Sequence, residues 1–439
     1  MTGASWYIDS LALENFRGYS ELELTFEHDL TVLIGKNAEG KTSVLDALAV
    51  AMGPIMAGFG QTAAGFHLSD VHASANTLNS ETAIATLEHI FPVKAEITAH
   101  LDGHKLTWTR ERKSKNGRTT WGDNGVRNFI SGVAEYSTNT SPAGYTLPIL
   151  AYHGVERLVG IRRGQGAIPP SRLGAYEAAL DPKSDLTRLS SYLESLTNKA
   201  TIDAARTGAV SAAVSAQLDA IDCAVSRALE VAGWRSPTWN PMIRAITLTS
   251  VQDGVTLPLS WLSSGVRITA GLVIDLASRM ARANPHLGGD DLLRQTPGIV
   301  MIDEVDLHLH PQWQKRIISS LRETFPKVQF IVTTHSPQVL STVPARCIRM
   351  LSGDSVKTAE YSEGLRTDII LSSLQETDPE PRTPNRARLE EYLDLVHSDQ
   401  GTTREALELR STLDQEMGGV TLVPELAEAD AYLGVFGDD

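Results

Sequence analysis

The sequence predicts an α/β protein built on a parallel sheet, and three stretches predict it. Residues 30–50, LTVLIGKNAEGKTSVLDALAV, open with a short apolar run and pass into helical spacing, with Val44, Leu45 and Leu48 on one face. Residues 298–302, GIVMI, form a continuous apolar run ended by Asp303 and Glu304, and residues 328–334, VQFIVTT, read as a third strand ended by His335. Strands that are apolar along their whole length fit a sheet covered on both faces. Such sheets gather ligands at the carboxyl ends of their strands, which is where all three polar clusters fall.

The first cluster, Gly35-Lys36-Asn37-Ala38-Glu39-Gly40-Lys41-Thr42, matches GxxxxGK[ST] in full, with Ser43 next along the helix. Gly35 and Gly40 permit backbone angles that turn amide N–H groups inward on phosphates at the positive end of a helix. Lys41 supplies a point charge to the β and γ phosphates, and the Thr42 hydroxyl can coordinate Mg²⁺. In the second cluster Asp303 would hold the water shell of Mg²⁺ and Glu304 would polarise an attacking water. In the third, His335 is placed to sense a γ-phosphate. Together these predict an ATP- and Mg²⁺-using enzyme with Lys41, Glu304 and His335 as catalytic residues and Thr42 and Asp303 as metal ligands.

With these residues in view, the chain resembles the ABC-type ATPases of the SMC and RecF class. Asn15-Phe16-Arg17-Gly18 resembles the NFR motif of that class, whose arginine reaches the nucleotide phosphates. Leu262-Ser263-Ser264-Gly265 resembles the ABC signature, Asp303-Glu304-Val305-Asp306 a Walker B motif followed by a D-loop-like aspartate, and Thr334-His335-Ser336-Pro337 the switch histidine. Their order along the chain is the ABC order. The resemblance implies that Ser263, Ser264 and Gly265 meet the nucleotide held by a second copy, so that paired heads sandwich two ATP molecules. Val266 stands where the signature commonly has Gln or Glu, and Gln165 is the candidate for a Q-loop.

A narrower resemblance covers residues 303–344, residues 361–374 and a tail opening at PRTPNRARLEEYLDLV. These are similar to the ATPases of bacterial anti-phage systems, Septu-type above all, including those found with retrons. The resemblance implies an ATPase controlling an effector nuclease of HNH type. Alternatives are an ATP-held scaffold that sequesters a toxin-like effector, as in PARIS-type systems, and a RecF-type DNA repair ATPase.

The expected fold class is therefore α/β, an ABC-type P-loop NTPase head with a flanking antiparallel β subdomain, a short helical insertion and a C-terminal helical tail. Far more chain separates Lys41 from Asp303 than a minimal P-loop domain uses. Alternating runs around residues 95–101 and 106–109 predict antiparallel strands of the β subdomain. Leu186, Leu189, Leu193 and Leu196, then Val214, Leu218, Ile221, Val225 and Leu229, predict helices. At most about 75 Å of helix fits there, too little for a long coiled-coil arm. The expected organisation is an N-terminal lobe over 1–180, an insertion over 181–240, a C-terminal lobe over 241–377 and a tail over 378–439, whose helices carry Leu389, Tyr392, Leu393 and Val396 on one face.

Charge bounds the partners. The net charge of −14 excludes a basic coat over the whole surface, so any nucleic-acid contact must be local. Residues 105–118, KLTWTRERKSKNGR, hold six basic residues against one acid, with Trp108 and Trp121 close by. They offer either a DNA contact or a solvated hairpin tip with an Asn-Gly turn. His308 and His310 lack the further ligands of a metal centre and read as structural. Cys223 and Cys347 are far apart and fit a reducing compartment. With no signal-like start and no long apolar run, the expected protein is cytoplasmic, bound to no membrane, and paired as a homodimer or higher homo-oligomer.

Overall fold

A computed structural model of the chain describes residues 5–76, 86–122, 124–139, 144–156, 171–183, 186–378 and 380–436. Gln165 lies outside the described residues. The chain divides into two units, residues 1–370 and 371–439.

In the first unit a six-stranded sheet runs in the order Ser355–Thr358, Ile348–Ser352, Leu30–Ile34, Val328–Thr333, Gly298–Ile302, Ile149–His153. Five of these strands are parallel and Ser355–Thr358 is an antiparallel edge. The four strands Leu30–Ile34, Ile149–His153, Gly298–Ile302 and Val328–Thr333 are buried at every position, as their mostly apolar sequences favour, with Thr31, His153, Gln329 and Thr333 as buried polar exceptions. In register, Ile302 lies beside both Val332 and His153, and Thr333 lies beside Leu33. The residues that follow these strands therefore emerge along one edge.

The flanking antiparallel sheet has the order Tyr19–Thr25, Trp6–Phe16, Val93–Leu101, His104–Arg112. Val93–Leu101 buries every second residue, as a half-covered strand must. Gln329, buried on the central sheet, joins the two sheets: its Oε1 accepts from the Ile8 N–H at 2.8 Å and its Nε2 donates to the carbonyls of Ile8 at 2.9 Å and Glu27 at 2.8 Å.

The helices Leu186–Thr207 and Ala212–Ala228 bury Leu189, Leu193, Leu196, Val214, Ile221 and Val225; the Leu186 side chain is outside the described residues, and Leu218 is half-buried. They lead into a three-stranded antiparallel ribbon, Trp234–Asn240, Ala245–Ser250 and Thr256–Pro258. Helix Ser264–Ala283 follows, buried almost all round, including the ion pair of Asp275 and Arg279 at 2.7 Å.

The second unit holds helices Pro384–His397, Arg404–Met417 and Pro424–Phe436. Thr383 and Thr403 cap the first two by accepting backbone N–H groups, and Pro384 occupies the first turn where its missing N–H is harmless. Leu389, Tyr392, Val396, Ala406, Leu413, Val423, Leu426 and Ala429 form its own core, with Leu393 packed partly buried against it.

Candidate functional site

The phosphate-loop motif sits between strand Leu30–Ile34 and helix Lys41–Ala51. Gly40 caps that helix in the left-handed region at φ 81°, where a side chain would be strained. The Lys41 ammonium is turned back into the loop, donating to the carbonyls of Gly35 at 2.8 Å and Lys36 at 3.0 Å. Burial lowers its pKa, and Glu39, Asp303 and Glu304 oppose that shift. It is a desolvated cation, ready to exchange carbonyl oxygens for stronger anionic ones.

Thr42 and Asp303 are brought together across the sheet edge, with Thr42 Oγ1 donating to Asp303 Oδ2 at 2.8 Å. Thr333 Oγ1 donates to the other carboxylate oxygen at 2.6 Å and accepts from the Glu304 N–H at 2.8 Å. Asp303 is further fixed by its N–H, which donates to the His153 carbonyl at 2.8 Å. Glu304 itself lies at φ 47°, a left-handed conformation that costs a non-glycine residue about 1 kcal/mol or more and that clusters at functional sites. The paired hydroxyl and carboxylate of Thr42 and Asp303 are hard oxygen donors, the kind that Mg²⁺ takes in small number beside phosphate oxygens.

His335 follows on the next strand. Burial lowers its pKa, Lys41 lowers it further, and Glu304, Asp306 and Asp303 act against them. The turn around it is pinned on both sides: Thr334 Oγ1 donates to Asp306 Oδ1, and Ser336 Oγ donates to Gln314 Oε1 at 2.8 Å. His308 and His310 lie between the carboxylates and helix Pro311–Thr324. His310 caps that helix by accepting the Gln312 N–H at 3.3 Å, a structural use of the ring.

Arg17 is held beside the loop and already engaged. Its guanidinium donates to Asp46 Oδ2 at 2.7 Å and to Asp70 Oδ1 at 2.8 and 3.0 Å, with Ser43 Oγ 3.4 Å away. Tyr152 O–H donates to the second oxygen of Asp46 at 2.7 Å. Asn15, two residues before, donates to the Pro92 carbonyl at 2.9 Å and so fixes the strand end.

The signature residues lie apart from this hydrogen-bonded cluster. Ser263 caps helix Ser264–Ala283 by accepting the Val266 N–H at 3.4 Å, and the Ser264 hydroxyl is 3.5 Å from Arg267 Nη2. A Cβ on Gly265 would lie 2.6 Å from the His308 carbonyl oxygen, so glycine is needed here for packing within the chain itself.

Several members of the site escaped the sequence reading. Asp46 stands four residues after Thr42 and so shares a helix face with it, a signal that could have found it. Tyr19 follows the NFR motif directly, and Thr333 precedes the switch motif. Asp70 carries no local signal, since only the fold brings it to Arg17.

The basic stretch has a different fate. Arg110 is 2% exposed and donates to the carbonyls of Val50, Ala64 and Thr120. Burial pushes its pKa down to about 10. Trp108 is equally buried, donating to the Ala51 carbonyl at 2.8 Å, and the Trp121 ring is covered by Arg110 and Arg127. Arg112 braces the loop through the Phe66 carbonyl at 2.9 Å, and Lys105 is 3.6 Å from Asp9. Lys113, Lys115 and Arg118 remain exposed, Lys113 beside Glu111 at 3.2 Å.

No helix among the described residues is long and apolar enough to cross a membrane.

Comparison with known proteins finds several similar chains. The retron Ec83 probable ATPase of Escherichia coli is 25% identical over 95% of this chain and 85% of its own length. The Septu protein PtuA of Bacillus mycoides (strain KBAB4) is 62% identical over 40 residues, 9% of this chain and 6% of that one. Among solved structures, an Smc head bound to the C-winged helix domain of ScpA aligns over 81% of this chain and 98% of that chain, at 16% identity and TM-score 0.48. A family model described as "AAA domain, putative AbiEii toxin, Type IV TA system" matches residues 30–341, which span the phosphate loop, the signature, the paired carboxylates and His335. The chain belongs to that AAA-domain family.

Proposed function

We propose that the chain hydrolyses ATP at two composite sites formed between paired copies, and that its nucleotide state controls an associated effector nuclease, of HNH type, in anti-phage defence. The observation that carries the catalytic part is the Thr42–Asp303–Thr333 arrangement, where a loop hydroxyl and a strand-end carboxylate meet at 2.8 Å. Lys41 and the amides of Gly35, Asn37, Ala38, Glu39, Gly40, Thr42 and Ser43 surround the phosphates. Mg²⁺, held by Thr42 and Asp303, would neutralise charge on the β and γ phosphates. Glu304 accepts a proton from water as its oxygen attacks the γ-phosphorus. The bond from that phosphorus to the bridging oxygen breaks, leaving ADP and phosphate. His335 in the same copy, with Ser263, Ser264 and Gly265 of the second copy, orients the γ-phosphate, and Arg17 stands close behind Ser43.

The effector reading is supported by the full-length likeness to a retron ATPase and the local likeness to PtuA. Replacing Glu304 by Gln tests the chemistry: ATP binding should persist while hydrolysis falls by about 10²–10⁴-fold. Turnover at the wild-type rate would remove Glu304 as the base. Light scattering of the same variant with Mg-ATP should show dimers, and a monomer at saturating nucleotide would sink the paired-head reading. Co-purification of the product of an adjacent nuclease gene with Glu304→Gln, and its loss with Lys41→Ala, would support nucleotide control of the partner.

A further inference from the structure

The phosphate loop carries strain that its own sequence does not relieve. Ala38 lies at φ 69° and Gly40 at φ 81°, so two of its residues are left-handed and one of them is not glycine. Such a loop keeps its shape only when its surroundings over-determine it. Lys41 supplies part of the hold through the carbonyls of Gly35 and Lys36, but its ammonium has three N–H donors, for which phosphate oxygens compete with those carbonyls. Some other group has to hold the loop when nucleotide arrives.

We infer that Glu39 and Tyr19 are positioning residues that preorganise the phosphate loop for ATP. The proposal rests on the ATPase reading above and deepens it. Glu39 accepts twice: its carboxylate takes the Lys36 N–H at 2.9 Å, and its carbonyl takes the Tyr19 O–H at 2.6 Å. Tyr19 is 2% exposed, and its ring backs the left-handed glycine so closely that a Cβ on Gly40 would lie 2.7 Å from ring Cζ. A Cβ on Gly35 would lie 2.7 Å from Glu39 Oε2, so the carboxylate also fills the mouth of the loop. Both Glu39 oxygens are acceptors with no use for an anionic ligand. Their bonds tie the loop to itself and to the Tyr19 ring independently of the Lys41 ammonium. Holding the loop in its bound shape beforehand removes an ordering penalty from binding, so the effect belongs in affinity rather than in turnover.

The test is calorimetric titration of Mg-ATP, with steady-state hydrolysis, on Glu39→Ala, Glu39→Gln and Tyr19→Phe. Loss of one backbone hydrogen bond should weaken ATP by about five- to tenfold in Glu39→Ala. Glu39→Gln keeps an oxygen acceptor and should recover most of that loss. Tyr19→Phe keeps the ring and should weaken ATP by about threefold. In all three KM should move more than kcat, and thermal melting of each variant identifies any that fail to fold. Wild-type affinity in both Glu39→Ala and Tyr19→Phe overturns the proposal. So does tighter binding in both Glu39 variants, which would make the carboxylate a repulsive group. Lys41→Ala separates the two readings: if it binds ATP as the wild type does, the site assignment fails, whereas its loss of ATP beside unaffected Glu39 and Tyr19 variants refutes only this proposal.

Discussion

Two regions of this molecule are dense in charge, and they use it in opposite ways. Along the carboxyl edge of the parallel sheet, Lys41, Asp303, Glu304 and His335 stand on neighbouring loops, and their mutual fields show in the opposed influences on Lys41 and His335. In the stretch 105–118, Arg110 turns inward and spends its donors on three backbone carbonyls. The first gathers opposite charges at one strand-end edge; the second commits its central arginine to the backbone and leaves Lys113, Lys115 and Arg118 exposed. A basic run in a sequence thus reports neither an interface nor a solvated face until the alternation of its strand is known.

The largest effect on ligand binding is expected at the sheet edge. Lys41→Ala should weaken ATP by about 10²-fold or more, because a desolvated charge-assisted contact is removed. A loss of less than about threefold in equilibrium binding would erase the contrast by showing that the edge is as inert as the hairpin.

Next comes the buried ion pair of the signature helix, charge used for structure alone. Burial alone would raise the Asp275 pKa, but Arg279 and His153 more than offset it, so the pKa is lowered in the fold. A depressed carboxylate contributes stability that is present above its unfolded pKa of about 3.9 and is lost as pH falls through the lower folded value. Asp275→Asn leaves Arg279 uncompensated and should cost about 3–5 kcal/mol at pH 7. In urea unfolding the difference from wild type should shrink in acid, and a pH-independent difference would show that Asp275 does not act through its charge.

Arg110→Ala should destabilise by about 2–4 kcal/mol, since it orphans carbonyls that are otherwise satisfied. A melting curve like that of wild type would return Arg110 to the surface and revive the whole stretch as a basic patch. The smallest effect belongs to Lys113, Lys115 and Arg118. Replacing all three by Ala should change stability by no more than about 0.5 kcal/mol each while lowering any salt-dependent DNA binding. DNA binding that survived the triple change would remove the hairpin tip from consideration.

The site was legible where one short run of sequence carries both the geometry and the chemistry. The loop 35–42, Asp303 with Glu304, and His335 each close an apolar strand, and strand-end chemistry can be read without knowing the neighbours. Arg17 was legible as a motif but not in its engagement, because Asp46 and Asp70 reach it from two distant stretches of the chain, and Tyr152 in turn holds Asp46. The signature glycine was expected to serve a close approach by a ligand, and the fold adds a use inside the chain against His308.

What the sequence alone determined, then, is the parallel sheet and which polar residues stand at its edge, since mostly apolar runs and a glycine-spaced loop are local properties. Tertiary structure decided which charges remain available. Whether an arginine faces solvent or a row of carbonyls depends on what packs across its strand, and that is a contact between residues far apart in the chain.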